Sequence, residues 1–348
     1  MKITTTPFGQ VDGRPVELYT FKNNHGITVK ITNYGGTITS LVMPDKNGLT
    51  TDIVCGYEKL DGYFSQEYKD NAPYFGCIIG RYAGRIKDAR FIVDNKEFKV
   101  TTNNGPHHLH GGIKGFDKRV WDAETIDEAG SVGVKLTLIS ADGEENYPGN
   151  LKVKVIYRLN NDNELSVEYY AETDKATPVS LTNHTYFNLN GFQEKVLNHK
   201  ARIIADKFLV PDETGVPLGE EQIIHGTVWD YNETRPISDA FAEEPKGFEH
   251  YYVFSKPLRS FEKVAEFTEE KSGRTMKVFS SEPGMLFYTG LYTSDNLQRE
   301  TGTRFGQFKA FCCETSKYPN GPNIEGAPDS VLQPNEQYQS KTVFKLEW

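Results

Sequence analysis

Four segments hold the chain's densest groupings of side chains able to move protons or grip a polar ligand. They are Gly80–Ile86 (GRYAGRI), Asn103–Gly112 (NNGPHHLHGG), Leu181–Leu189 (LTNHTYFNL) and Cys312–Pro322 (CCETSKYPNGP). His184 sits among Asn183, Thr185 and Asn188, with apolar residues on either side. Such an imidazole is either a buried, hydrogen-bonded ring or a proton donor, a task suited to its ordinary pKa of about 6.5. Glu314 follows the apolar run Phe311-Cys312-Cys313, which predicts a carboxylate just past the end of a buried strand, as a paired structural acid or a working base. His110 precedes Gly111 and Gly112, and two glycines let backbone adopt positive φ and approach a ligand closely. The neighbouring His107 and His108 raise a metal reading. No H-E-x-x-H motif or cysteine pair completes a tetrahedral set, so no metal is expected. Arg85 offers a planar fork of donors suited to hydroxyls or a carboxylate. One carboxylate, two imidazoles and a guanidinium, with no nucleotide motif, suit acid–base work on a polyhydroxylated substrate.

These groups need a rigid frame, and period-two alternation supplies the signal for one. Val132, Val134, Leu136 and Leu138 alternate with smaller or polar residues, as do Leu151, Val153, Val155, Tyr157 and Leu159, then Leu165, Val167 and Tyr169. Such runs predict half-buried antiparallel strands, and Asn160-Asn161-Asp162-Asn163 between two of them predicts a hairpin turn. Further strands are expected near 27–32, 37–43, 90–93, 97–101, 201–205, 274–280, 285–289, 308–313 and 340–347. One short helix is expected over Tyr57–Phe64, and residues 260–270 read equally as helix or strand. Many strands broken by Gly, Pro, Asn and Asp predict an all-β sandwich. No linker, repeat or low-complexity stretch divides residues 1–348, so a single domain is expected.

Composition narrows the function classes. The net charge is −9 with no Lys/Arg tract, which argues against nucleic acid as a partner. Aromatics make up 12% of the chain, mostly as strand core, although sugar rings also pack well on aromatic faces. Cys55, Cys77, Cys312 and Cys313 form no C-x-x-C pair and read as reduced core residues. The N-terminal residues lack the apolar stretch of a signal peptide, and no apolar run is long enough to span a bilayer. A cytoplasmic protein without a membrane partner is expected.

In order and spacing, the four segments resemble the signature segments of the galactose mutarotase (aldose 1-epimerase) family. "LTNHTYFNL" and the "LHGG…KGFDK" stretch, running through Gly115-Phe116-Asp117-Lys118 to Trp121, are the most specific parts. The likeness extends from Asn33-Tyr34-Gly35-Gly36 to the C-terminal residues. It implies a large antiparallel β-sandwich of the galactose mutarotase-like type with few short helices and a cleft on one face. It also implies a cofactor-free enzyme that interconverts the α and β anomers of a free aldohexose such as galactose or glucose. By the same resemblance Glu314 is the general base, His184 the general acid, and His110, Arg85 and Glu249 bind the sugar. Three positions depart from the family pattern: Gly84 stands where Asn is usual, Glu249 replaces an aspartate, and Leu286 replaces a glutamine. These are binding positions, so the chemistry is intact while the preferred aldose is open.

Two other readings compete. A glycoside hydrolase could pair Glu314 with Glu249, but His184 and His110 would then have no role. A non-catalytic sugar-binding or regulatory module fits the three departures but not the retained proton-transfer residues. An epimerase acting on a hexose 6-phosphate would need more cations than Arg81, Arg85 and Lys317.

Overall fold

Alternation in the sequence becomes alternation in burial. In the computed structural model, which describes residues 1–348, Val132, Val134, Leu136 and Leu138 are buried within the strand Ser131–Ser140. Leu151, Val153, Val155, Tyr157 and Leu159 are buried within Leu151–Asn160. The turn between Leu151–Asn160 and Glu164–Thr173 forms because the Asn160 side chain accepts the backbone N–H groups of Asp162 and Glu164 at 2.9 and 3.0 Å. Asn163 takes a positive φ of 62°, a conformation that Asn tolerates better than most residues.

Three antiparallel sheets carry the architecture. A nine-stranded sheet runs, edge to edge, through Asp122–Glu128, Ser131–Ser140, Leu151–Asn160, Glu164–Thr173, Tyr338–Glu347, Thr275–Ser280, Glu262–Thr268, Lys200–Ile203 and Arg235–Pro236. Tyr338–Glu347 is its middle strand, pairing with Glu164–Thr173 on one side and Thr275–Ser280 on the other. A six-stranded sheet runs through Tyr186–Phe187, Phe311–Ser316, Gly284–Tyr288, Glu249–Phe254, Ala205–Pro211 and Pro217–Ile223. A five-stranded sheet holds the first fifty-odd residues, Lys2–Val11 to Thr51–Asp52.

The nine- and six-stranded sheets share a core. Phe267 stacks on Phe311 with ring centroids 4.4 Å apart, and Phe187 meets Phe344 at 5.1 Å. Aromatic pairs of this kind add to the burial of their own surface. The six-stranded sheet therefore commits one face to the core, through Phe311, Cys313, Met285, Phe287 and Tyr252. Because strand side chains alternate, Cys312, Glu314, Leu286, Tyr288, Glu249 and Tyr251 are left to the opposite face.

Three local expectations need correction. The predicted helix over Tyr57–Phe64 is a 3-10 turn over Leu60–Phe64, followed by an α-helix over Gln66–Asn71 whose N-cap, Ser65, accepts the N–H of Tyr68. Residues 260–270 form a strand, Glu262–Thr268. A register shift between Lys263 and Ala265 puts Val264 and Ala265 both inside, which breaks the period-two signal. The strand expected over 308–313 is Phe311–Ser316, so Glu314 lies within a strand rather than beyond its end. No helix is long and apolar enough to cross a membrane.

Candidate active site

The free face of the six-stranded sheet forms the floor of a cleft of about 540 Å³. Cross-strand register lays out two rows on this floor. Tyr251, Leu286 and Glu314 are neighbours in one, and Glu249, Tyr288, Cys312 and Tyr186 in the other. Three loop segments bring the remaining groups over it. Thr182–Asn183 pairs with Ile78–Ile79 and, beside it, the His184 N–H donates to the Cys77 carbonyl at 2.9 Å. Arg85–Ile86 pairs with His108–Leu109, which delivers Arg85 and His110 together.

His110 has a positive φ of 52°, and Gly111 and Gly112 follow at 87° and 104°. A Cβ on Gly111 would stand 1.8 Å from the Gly80 carbonyl oxygen. Glycine is thus a steric requirement of the turn that presents His110. The His110 N–H donates to the Gly84 carbonyl at 3.1 Å, and the Gly84 N–H donates back to His110 Nδ1 at 3.2 Å. With Nδ1 accepting, the neutral ring carries its proton on Nε2 and is a donor there.

Glu314 and His184 meet at the base of the cleft. Glu314 Oε1 lies 3.4 Å from His184 Nε2, and the side chains are only 3% and 6% exposed. Oε1 has no hydrogen-bond partner, although buried polar atoms are nearly always paired. The His184 ring lies between two aromatic faces, Tyr186 stacking at 5.1 Å and Tyr74 at 5.8 Å, while His110 meets it edge-on at 5.4 Å. On its far side, His184 Nδ1 is 3.6 Å from Cys312 Sγ.

Burial sets the electrostatics. It pushes Glu314 up to about 8, helped by the negative charge of Glu249 and opposed by Arg85. It pushes His184 down to about 4. His110 is held well below its ordinary value by burial and by the positive charge His184 can carry. Desolvation disfavours the charged form of each group.

Arg85 and Glu249 both line the cleft and are paired with each other, Nη1 to Oε1 at 2.9 Å. Arg85 Nε also donates to Asn104 at 3.0 Å. All five residues expected at the site are therefore brought together. Leu286 lies on the floor beside Glu314. Gly84 also lines the cleft; its φ is 80° and a Cβ would meet Pro319 at 2.9 Å. Its backbone exchanges hydrogen bonds with His110.

The metal reading at His107, His108 and His110 dissolves in geometry. His107 Nδ1 accepts the Asp88 N–H at 3.0 Å, while His108 donates from Nδ1 to the Thr101 carbonyl at 2.6 Å and accepts the Tyr147 hydroxyl at Nε2, 2.8 Å away. A different trio, His110, His184 and Glu314, places its ligand atoms within 4.8 Å of one another and could hold a cation by spacing. The tautomer imposed on His110 by Gly84 presents a donor instead of a lone pair. Arg81 is buried against Ser140, Ala141 and Pro148, and Lys317 faces Glu282, so of the three cations weighed for a phosphate only Arg85 is at the site.

Tyr74, Tyr186 and Tyr288 line the cleft and Cys312 lies behind His184, and sequence reasoning assigned none of them to the site. For Tyr288 and Cys312 the signal was available, since each lies two residues from an identified floor position.

A sequence model of the aldose 1-epimerase family matches residues 17–345. The galactose mutarotase of Bos taurus is 37% identical over 350 residues, covering 99% of both chains. The aldose 1-epimerase of Escherichia coli (strain K12) is 34% identical over 351 residues, again covering 99% of each. Among solved structures, the galactose 1-epimerase of Lactobacillus acidophilus NCFM superposes with a TM-score of 0.87 at 26% identity, over 99% of this chain and 98% of that one. The aldose epimerase homologue of C. elegans gives 0.85 at 29% identity, over 95% and 98%.

Proposed function

The chain belongs to the aldose 1-epimerase family, and we propose that it interconverts sugar anomers by passing protons through Glu314 and His184. The observation that carries this reading is the buried, unpartnered Glu314 Oε1 placed 3.4 Å from His184 Nε2 at the base of an open cleft. A carboxylate with a free acceptor, facing an imidazole, is arranged to take a hydroxyl proton from one substrate oxygen while the ring gives a proton to another.

The reaction needs one proton on the pair. Glu314 takes the proton of the C1 hydroxyl, His184 Nε2 protonates the ring oxygen, and the C1–O5 bond opens to the aldehyde. Rotation about C1–C2 presents the other carbonyl face, and the reversed transfers close the ring as the other anomer. No electrons are exchanged and only C1–O5 breaks, so the step calls for no redox partner. Each positioned group supplies on the order of 10²–10⁴-fold, which fits a reaction that already proceeds in water. In the resting cleft burial keeps the shared proton on Glu314; as a substrate hydroxyl settles beside Oε1 that proton passes to His184 Nε2, which leaves Glu314 as the base and His184 as the acid for ring opening.

His110 Nε2 and Arg85 are the donors we assign to sugar hydroxyls, with Glu249 holding Arg85 in place and accepting from the substrate. A glycoside hydrolase pairing Glu314 with Glu249 is disfavoured because Glu249 is committed to Arg85. A phosphorylated sugar is disfavoured by the same ion pair. Leu286 and Tyr251 make the wall beside Glu314 apolar, which favours a sugar presenting few hydroxyls on that side. The single match over residues 17–345 supports reading the chain as one domain, and four free, buried cysteines support a cytoplasmic location.

Polarimetry on freshly dissolved α-galactose and α-glucose tests the proposal. Accelerated approach to the equilibrium rotation by the natural protein, lost in Glu314→Gln, is the expected result. A natural protein no faster than buffer on any aldose would leave only the sugar-binding reading.

A further inference from the structure

Cys312 and Glu314 are two residues apart on the strand Phe311–Ser316 and project from the same face of the sheet. The His184 ring spans them, with Nε2 3.4 Å from Glu314 Oε1 and Nδ1 3.6 Å from Cys312 Sγ. Cys312 is fully buried, and its thiol is pushed well above its ordinary value by burial and the nearby Glu314 carboxylate. It is a neutral S–H throughout the working range. Tyr74 and Tyr186 cover the faces of the ring, so its nitrogens are reached in the ring plane by Glu314, by Cys312 and by the residue's own backbone carbonyl.

We propose that Cys312 is a positioning residue: its sulfur accepts the His184 Nδ1–H and so fixes Nε2 as the nitrogen that exchanges protons with substrate. The inference rests on His184 being the general acid. An imidazolium carries protons on both nitrogens. After Nε2 has given its proton to the ring oxygen, the neutral ring must keep the Nδ1 proton and leave an Nε2 lone pair to take the proton back. An acceptor at Nδ1 serves both states without moving, whereas a donor there would clash with the imidazolium. In many acid–base sites this place is taken by a carboxylate or a backbone carbonyl. A carboxylate would stabilise the imidazolium and make it a weaker acid. A neutral thiol orients the ring without that effect, which suits protonation of a weakly basic ether oxygen.

The test combines two variants with a spectroscopic reading of the ring. In ¹⁵N-histidine-labelled natural protein, neutral His184 should show Nδ1 as the protonated nitrogen and Nε2 as the bare one. Cys312→Ala should mix the tautomers and lower kcat by about threefold to tenfold, the worth of one net hydrogen bond, with KM held within about twofold. Cys312→Ser, which restores an acceptor, should recover the tautomer and most of kcat. The inference is overturned by a protonated Nε2 with bare Nδ1 in the natural protein, or by folded Cys312→Ala with unchanged kcat and tautomer. A serine variant that resembles alanine in both readouts overturns it too. Should alanine prevent folding, the natural protein's spectrum and the serine variant still decide. His184→Asn separates the two levels. Activity surviving that change removes His184 as the acid, whereas its loss alongside an inert Cys312→Ala removes only the role of the thiol.

Discussion

Arg85 and Glu249 reach each other across the cleft, Nη1 to Oε1 at 2.9 Å, from a loop hairpin on one side and a floor strand on the other. The pair ties the cation we assign to sugar binding to the electrostatics of Glu314, the base we propose, because Glu249 raises Glu314 and Arg85 lowers it. Replacing Glu249 by Gln removes the first influence and leaves the second. Glu314 should then ionise more readily, and the alkaline limb of the rate profile should move to lower pH. KM should rise as well, since Arg85 loses its anchor. Polarimetric rates across pH would show this, and an alkaline limb that stays in place would mean that Glu249 does not act on Glu314.

Removing either proton-transfer group should be severe. Glu314→Gln and His184→Asn are each expected to lower kcat by at least about 10²-fold, with circular dichroism unchanged. The double variant should cost little more than the worse single one, since both groups serve one transfer. Additive losses would indicate that they act in separate steps.

The pH profile should be a bell. With Glu314 raised to about 8 and His184 lowered to about 4, the pair holds one proton between those values. Below the lower limit a second proton occupies it and no base remains. Above the upper limit the last proton leaves and no acid remains. The limits belong to the pair and not to either residue. After subtraction of the buffer rate, kcat/KM should fall on both sides, and a flat enzymatic profile across this span would rule out the pair.

Gly111→Ala should destabilise the fold by about 1–3 kcal/mol, the range for a residue forced into a sparsely populated backbone conformation. The position has a φ of 87° and faces the Gly80 carbonyl oxygen. Urea unfolding would measure the loss, and KM should rise because His110 moves with the turn. A variant as stable as the natural protein would show that the turn can re-form around a side chain.

Leu286→Gln places an amide beside Glu314. One added hydrogen bond is worth about 0.5–1.5 kcal/mol, or roughly 2- to 12-fold in affinity at 1.4 kcal/mol per decade. KM for galactose should fall by that factor. If galactose already saturates the natural enzyme at low concentration and the change tightens nothing, the apolar wall does not limit binding. Gly84 is left unaltered in this test, since any side chain there strains the backbone that holds His110.

The frame and the residues gathered in the cleft were legible in sequence for different reasons. Strands such as Leu151–Asn160 alternate over most of their length, with Ile156 the one buried residue out of phase, and one buried face dictates their register. Glu314, His184, His110 and Arg85 lie in four segments whose resemblance to the family's signature segments implied the site, and Glu249 was added from the same family pattern. What escaped was geometry that depends on long-range pairing. Tyr74 reaches the His184 ring from a loop with no distinctive pattern, and Cys312 is a core residue, as read, whose position beside His184 depends on the register that puts Phe311 and Cys313 on the other face. The bulge in Glu262–Thr268 hid a strand because it breaks the period on which strands are read. At Gly84 the sequence showed the departure from Asn but not the backbone exchange with His110, which depends on how two distant loops pair.

The central place of Tyr338–Glu347 bears on how the molecule is assembled. It alone joins the strands from Asp122–Glu128 to Glu164–Thr173 with those from Thr275–Ser280 to Arg235–Pro236. On the ribosome it emerges after every other strand of that sheet. Until it arrives, Glu164–Thr173 and Thr275–Ser280 present two open edges, each able to recruit a foreign strand. Pairing over so long a sequence separation is slow. The growing chain therefore passes through a stage in which both halves of the sheet exist and neither can close. Chaperone demand and loss to aggregation should concentrate at that stage, and nonsense mutations before Tyr338 should yield insoluble products.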